Sequence, residues 1–303
     1  MKIFAIIVAY NGMQWYKKCF DSIAGADIPI SIVVIDNNST DGTPGYIKQH
    51  YPHIKLFEFK ENLGFARGNN IGLRYALDNN ADYVLLLNQD AWLNEKNTIS
   101  GLIAILENHP EFGILSPLQL YAGMNKIEQE VLMHFARQAK TANDFFSDLY
   151  FNRVKDVYEV PFACAACWLM PIKTIRALGG FDPLFFHYGE DDNYIHRLKY
   201  FGFKIGICPK LGYSHDIGTR VDKYREKHLD WKKFLLLNLA NINTPINCNA
   251  IILKKVKTLF IQALRLNLKL LKKSVPEFLY LLKIRKPLMH SINKNKTIQT
   301  NWL

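Results

Sequence analysis

The sequence predicts an α/β fold: a mostly parallel sheet with helices on both faces, followed by a basic helical extension. Three observations carry this. Short apolar runs alternate with amphipathic stretches over the first 116 residues, and strands separated by helices make a parallel sheet. Runs such as Val84–Leu87 are apolar throughout, as strands buried on both faces are. The formal net charge of +11 falls wholly in residues 251–303, which hold twelve Lys and Arg against Glu277 alone.

The elements follow in order along the chain. "KIFAIIVAYN" is a strand, and "MQWYKKCFDSIAG" has helical spacing and stops at Gly25. "ISIVVIDN" is the second strand, "GTPGYIKQHY" a short helix and "IKLFEF" the third strand. Gly64 to Asp78 is a helix, "YVLLLN" the fourth strand, "NTISGLIAILENH" a helix and "FGILSP" a strand. Residues 117–156 are irregular and mixed in charge, which predicts helical excursions or loops over the sheet. "VYEVPFACAACWLM" returns to strand, and a helix from about Pro171 ends at the Gly179-Gly180 stop. "EDDNYIHRLKYFG" is helical, with Ile195, Leu198 and Phe201 on one face. "FKIGICP" is the last strand, and from Lys227 the pattern is helical with breaks near Pro245 and Pro276. Two units are expected, residues 1–226 and 227–303.

With 49% hydrophobic and 21% charged residues among 303, the composition is globular. No run reaches the roughly 18 apolar residues of a spanning helix, and the strand-like start is not a signal peptide. Five cysteines, an odd number, predict a reducing, cytoplasmic setting without a disulfide framework. Cys164 and Cys167 form a CxxC inside an apolar run, where thiols act as small hydrophobes.

Neither a GxxxxGK[ST] loop nor a GxGxxG turn is present, which excludes the common phosphate-binding signatures. The strand ends are instead acidic and amide-rich: Tyr10-Asn11, then Asp36-Asn37-Asn38, then Asn88-Gln89-Asp90. In a parallel sheet these ends open onto one edge, where ligands bind. Asp90 could simply cap a following helix. Together, however, a tyrosine, a carboxylate able to accept from a base and a second carboxylate suit a nucleotide diphosphate with a divalent cation. Magnesium and manganese take one or two protein carboxylates and fill their remaining positions from phosphate and water. Gly64 and Gly68 flank Arg67 at a helix start that favours anions. Glu190, Asp191 and Asp192 begin another helix. Crowded carboxylates raise one another's pKa, which suits a general base. Phe181, Phe185, Phe186 and Tyr188 offer an apolar wall for a sugar ring. His215, beyond the last strand and before a loop with Arg220, is a candidate metal ligand.

The ordered set "VAYN", "VIDNNSTDGT", "NLGFARGNNIGL", "LLLNQDA", "GGFDPLFFHYGEDDNYIHR" and "GYSHDIG" resembles the family 2 glycosyltransferases, and within them the rhamnosyltransferase-like branch. The likeness covers about residues 2–220. It implies a GT-A fold, a nucleotide-sugar donor (dTDP-rhamnose or a UDP-sugar), a divalent metal (Mn or Mg), and inversion at the anomeric carbon. It also implies a saccharide or lipid-linked glycan acceptor in surface polysaccharide synthesis. Carried over, Tyr10, Asn11, Asp36 and Asn38 line the nucleotide, and Arg67 reaches ribose or phosphates. Asn88 and Asp90 occupy the DxD motif, with Asp90 and His215 on the metal. Asp191 would be the base and Glu190 would position it. The sequence departs from the pattern where Asn88 fills the first DxD slot and Asn193 replaces an Asp; Asp192 is an extra neighbour and the alternative base, with spacing favouring Asp191. A sugar nucleotidyltransferase would need a glycine-rich basic loop after strand one, which "AYNGMQWYKK" is not. An inactive glycan-binding or scaffold subunit is the alternative from another class.

Lys254, Lys255, Arg265, Lys269, Lys272 and Lys273 recur at helical intervals among Leu, Ile, Phe and Val, an amphipathic basic helix. Residues 251–290 are expected to meet an anionic membrane surface, placing the protein peripherally on the inner face of the cell membrane. Packing on the chain's own domain is the simpler alternative. Nucleic acid is not expected, because aromatics are not interleaved with the charge.

Overall fold

The computed structural model of the chain describes residues 1–123, 125–137, 139–186, 188–217, 231–244 and 247–303. The strands are β1 (Ile3–Ala9), β2 (Ser31–Asp36), β3 (Lys55–Glu58), β4 (Tyr83–Leu87), β5 (Ala91–Leu93), β6 (Phe112–Tyr121), β7 (Tyr158–Glu159), β8 (Cys167–Pro171) and β9 (Lys204–His215). The helices are α1 (Tyr16–Ala24), α2 (Thr43–His50), α3 (Gly64–Asp78), α4 (Thr98–Asn108), α5 (Gln129–Arg137), α6 (Ala139–Tyr150), α7 (Ile172–Leu178) and α8 (Glu190–Tyr200). Three more follow: α9 (Trp231–Ala240), α10 (Cys248–Leu264) and α11 (Leu268–Asn295).

One sheet orders these strands β3-β2-β1-β4-β8-β6-β9-β5, with β7 against β9. Strands β1 to β4 are mutually parallel, and so are β6 and β9. Strand β8 is antiparallel to both β4 and β6, so β6 and β9 still point the same way as β4. The carboxyl ends of β1, β2, β4, β6 and β9 therefore share an edge with the start of β8.

Alternation along β1 sends Ile3, Ala5 and Ile7 into one core beside α1 and α4, and Phe4 and Ile6 into the other beside α3. Buried apolar side chains on both faces keep each strand from slipping by one residue. Helix α3 lies very close to the sheet: a Cβ on Gly72 would stand 2.4 Å from Ile6 Cγ2.

A third cluster joins Phe185, in the loop before α8, to Leu236 and Leu239 of α9 and to Leu281, Ile284 and Leu288 of α11. Asp182, fully buried in the same loop, accepts hydrogen bonds from the Leu184 N–H (2.9 Å), Asn295 Nδ2 (2.7 Å) and Ser291 Oγ. The start of α10 and the second half of α11 are thereby seated on the loop leading to Glu190 and Asp191.

Several sequence expectations change. The apolar run at 157–170 is not one strand: β7 and β8 are separated by an irregular stretch, in which Cys164 is half-buried while Cys167 is in the core. All five thiols are free. Strands β6 and β9 run well past their expected ends because they pair with each other beyond a register shift at Pro117/Leu118. The helical break falls at residues 265–267, not at Pro276, which sits exposed within α11. The expected break near Pro245, the 226/227 boundary and Arg220 lie outside the described residues.

Candidate active site

Strand β2 delivers Asp36 and Asn37 buried at the sheet edge. Asp36 Oδ2 accepts from the Ser39 N–H at 3.1 Å, while its buried Oδ1 has no partner among the described residues. A buried acceptor left unpaired costs free energy, and a donor on a bound molecule would relieve it. Asn11 ties the end of β1 to the loop after β2: its N–H donates to Ser39 Oγ at 2.9 Å, and its Oδ1 accepts from the Thr40 N–H at 2.8 Å. Asn11 and Asn38 are both in the left-handed region, with φ of 49° and 68°, which Asn tolerates better than most residues. Tyr10 is 47% exposed beside them.

Asp90 does not cap a helix; it precedes β5. Strand β5 pairs antiparallel with the end of β9, Ala91 opposite His215, so the two chain segments close on one another. Asp90 Oδ1 then lies 3.3 Å from His215 Nε2, with both side chains nearly buried. Asn88 Nδ2 stands 3.5 Å from the same nitrogen. His215 Nδ1 is 3.3 Å from Gln119 Nε2, and Gln119 Oε1 accepts from the Tyr213 hydroxyl at 2.5 Å, which fixes the ring plane. Adjacent ligands on an octahedral ion with bonds of about 2.1 Å are about 3 Å apart, so Asp90 and His215 are spaced to share one. Among the described residues no group of three or more His, Cys, Asp or Glu forms a metal cluster; the donor set fits an ion completed by ligand oxygens and water.

Asp191 is half-buried at the first turn of α8, and its Oδ2 accepts from the Ala165 N–H at 3.1 Å. The next residue, Ala166, accepts at its carbonyl from the Asn88 N–H at 2.9 Å. Two hydrogen bonds thus connect Asp191 to the Asn88–Asp90 segment. Burial raises the Asp191 carboxyl above its ordinary range. Glu190 is pushed up strongly, by burial and then by the Asp191 charge, and its Oε2 lacks a partner among the described residues.

Asp192 is raised from 3.8 to about 7, by burial and then by Asp191. A raised carboxyl contributes stability in full below pH about 4 that is lost as pH climbs to about 7. Asp192→Asn, which mimics the protonated form, is expected to stabilise the protein by on the order of 1–2 kcal/mol at pH 8 and by less at pH 5. Denaturant unfolding at the two pH values checks this; an equal effect at both contradicts it.

The remaining predicted residue, Arg67, lies exposed on the first turn of α3. It lines a cleft of about 560 Å³ with Arg74, Tyr75 and Trp302. Sequence reading assigned no role to Gln89, Trp15, Asp216 or Gln119. Gln89 clamps the end of β1, accepting from the Tyr10 N–H (2.8 Å) and Tyr16 O–H (3.0 Å) and donating to the Tyr10 carbonyl (3.1 Å). Trp15 Nε1 donates to Asp216 at 2.8 Å, and the Asp216 N–H donates to the Asp90 carbonyl at 2.8 Å. Gln119 has no sequence signal at all, whereas Gln89 and Asp216 directly adjoin residues already singled out.

Comparison with known proteins identifies the fold and the family. A curated hexosyltransferase of low-salt glycan biosynthesis, Agl10 of Haloferax volcanii, is 25% identical over 77% of this chain and 74% of its own length. The N-acetylglucosaminyl-diphospho-decaprenol L-rhamnosyltransferase of Mycobacterium tuberculosis is 26% identical over 74% of this chain and 79% of its own. Among solved structures, S. aureus TarS 1–349 with UDP superposes with a TM-score of 0.58 at 16% identity, covering 82% of this chain and 67% of that one. The mannosyltransferase PcManGT of Pyrobaculum calidifontis with GDP-Man and Mn2+ gives 0.55 at 18% identity, over 97% and 73%. Both share the GT-A fold. The model for glycosyl transferase family 2 matches residues 4–179, more than half of the chain, and this chain belongs to that family of glycosyltransferases.

Proposed function

We propose that the protein is an inverting glycosyltransferase that moves a sugar, from dTDP-rhamnose or a UDP-sugar, to a saccharide or lipid-linked glycan in surface polysaccharide synthesis. The observation that carries this reading is the Asp90–His215 pair, 3.3 Å apart, joined through Asn88, Ala166 and Ala165 to the raised carboxyl of Asp191. On the same reading the basic C-terminal region meets an anionic membrane surface that carries the acceptor.

Asp36 accepts from the nucleobase through its unpaired oxygen, and Tyr10 packs on the base plane. Asn11 and Asn38 shape the turn that holds both, and Arg67 offers a guanidinium to ribose or phosphate oxygens. Asp90 and His215 would hold a divalent ion, Mn or Mg, which when bound supplies positive charge to the leaving diphosphate. Asp191 takes the proton from the acceptor hydroxyl as that oxygen attacks the anomeric carbon and the bond to the diphosphate breaks on the opposite side. Burial keeps this carboxyl basic enough to accept a proton. Glu190, its carboxyl pushed well up by burial, borders the base and helps position it.

Thermal unfolding with UDP, dTDP, GDP and CDP, each with and without manganese, tests the reading. One nucleotide is expected to raise Tm by several degrees, as about 3 kcal/mol of ligand stabilisation at a hundredfold excess over Kd would do, and only with metal. Asp90→Ala should remove that metal dependence. Indifference to all four nucleotides would instead favour an inactive scaffold.

A further inference from the structure

The glycosyl-transfer chemistry uses none of the hairpin formed by α10 and α11. Its root is packed: Cys248, Leu281, Ile284 and Leu288 lie in the cluster with Phe185, and Lys255 pairs with Glu277 across the two helices. Its tip is bare. Every residue from 263 to 270 is exposed, including Leu264 at 69%, Leu266 at 83% and Leu268 at 68%. Leu253, Val256, Phe260 and Leu264 recur at three- and four-residue spacing along α10 and are all exposed; so are Val275, Leu279 and Leu282 along α11.

Exposed cations accompany these side chains: Lys254, Lys257, Arg265, Lys269 and Lys272. The one acid in residues 251–303, Glu277, is already paired. Contiguous exposed apolar surface marks an interaction site. Leucines beside lysines with no acidic residue match the boundary between the headgroups and acyl chains of an anionic bilayer. Nucleic acid would satisfy the lysines and leave the leucines in water. No helix among the described residues is long and apolar enough to cross a membrane, so the contact is one of surface docking.

We propose that the α10–α11 tip is a foot that docks on an anionic lipid surface, with Leu264, Leu266 and Leu268 entering the headgroup boundary and the flanking cations meeting lipid phosphates. This deepens the function proposed above and rests on it only for the purpose of docking. Helix α11 runs from the tip to Ser291 and Asn295, which hold Asp182 in the loop before Glu190 and Asp191. Helix α11 thus ties the foot, through Asp182, to the segment that precedes Asp191, and docking sets the side of the protein that the base presents to the surface.

Flotation of the full-length chain with vesicles tests this. Vesicles of phosphatidylcholine with about a third phosphatidylglycerol should capture the protein, and pure phosphatidylcholine or high salt should weaken capture about tenfold or more. The doubly substituted Leu266→Asp, Leu268→Asp chain should lose capture about tenfold or more, with unchanged Tm because both side chains face water. Its hydrolysis of nucleotide sugar in vesicle-free buffer should also be unchanged. Absence of flotation, equal flotation on both lipids, or a tip variant that floats like the parent would each overturn the foot. Those results leave nucleotide-sugar hydrolysis intact, whereas failure of the glycosyltransferase reading would appear as a protein that floats but turns over no nucleotide sugar.

Discussion

Asp191→Asn is expected to lower turnover by about 10²–10⁴-fold, the usual worth of a positioned general base, while the fold and nucleotide binding survive. The substitution is nearly isosteric, and its amide oxygen can still accept from the Ala165 N–H, the bond now made at 3.1 Å. What disappears is the ability to take up a proton. Because burial raises the Asp191 carboxyl, the parent enzyme should lose kcat/KM as pH falls through a value above the ordinary carboxylate range. The sign is fixed by the need for the ionised form. The variant's residual rate should lack that acid limb. Steady-state rates against pH, with nucleotide-induced thermal shifts as the control for binding, would decide; turnover within threefold of the parent by a folded variant would remove Asp191 from the mechanism.

The second large effect is structural. Asp182→Ala should destabilise the protein by about 3 kcal/mol or more, because it strands three hydrogen-bond donors in a buried setting. Its carboxylate satisfies Ser291 Oγ, Asn295 Nδ2 and the Leu184 N–H. Its charge also favours the buried guanidinium of Arg197, which itself donates to the carbonyls of Leu178 (2.9 Å) and Gly180 (2.6 Å). Loss of the carboxylate should therefore loosen the loop from 181 to 190 and release α11 together. Denaturant unfolding measures the energy, and limited proteolysis reads the earlier cleavage expected within α11. Parent-like stability would show that the α11 seat depends on the apolar cluster around Phe185 alone.

These two residues differ in how far the sequence revealed them. Asp191 stood in a recognisable acidic run at a helix start, and its motif named a role. Asp182 sat in the same motif without one, because its partners lie about 110 residues away in a segment whose sequence reads only as a basic helix. Similarly, Asp36 and Asp90 were legible as carboxylates ending apolar runs. The neighbours that aim them, Gln89 and Gln119, are ordinary polar residues whose function comes from position.

By itself the sequence determined the alternation of buried strands and amphipathic helices, the shared edge at which the strands end, and the acids placed there. Those features are local: apolar periodicity and chain polarity dictate them before any long-range contact forms. Only the tertiary structure decided that β8 runs antiparallel between β4 and β6, which brings Ala165 to Asp191. The same holds for the long β6–β9 pairing and for β5 folding onto β9, which sets Asp90 beside His215. It likewise seated α11 on Asp182 and left the hairpin tip bare. Each of these depends on which surfaces meet across tens to more than a hundred residues, and burial and hydrogen-bond satisfaction settle that only once the whole chain is packed.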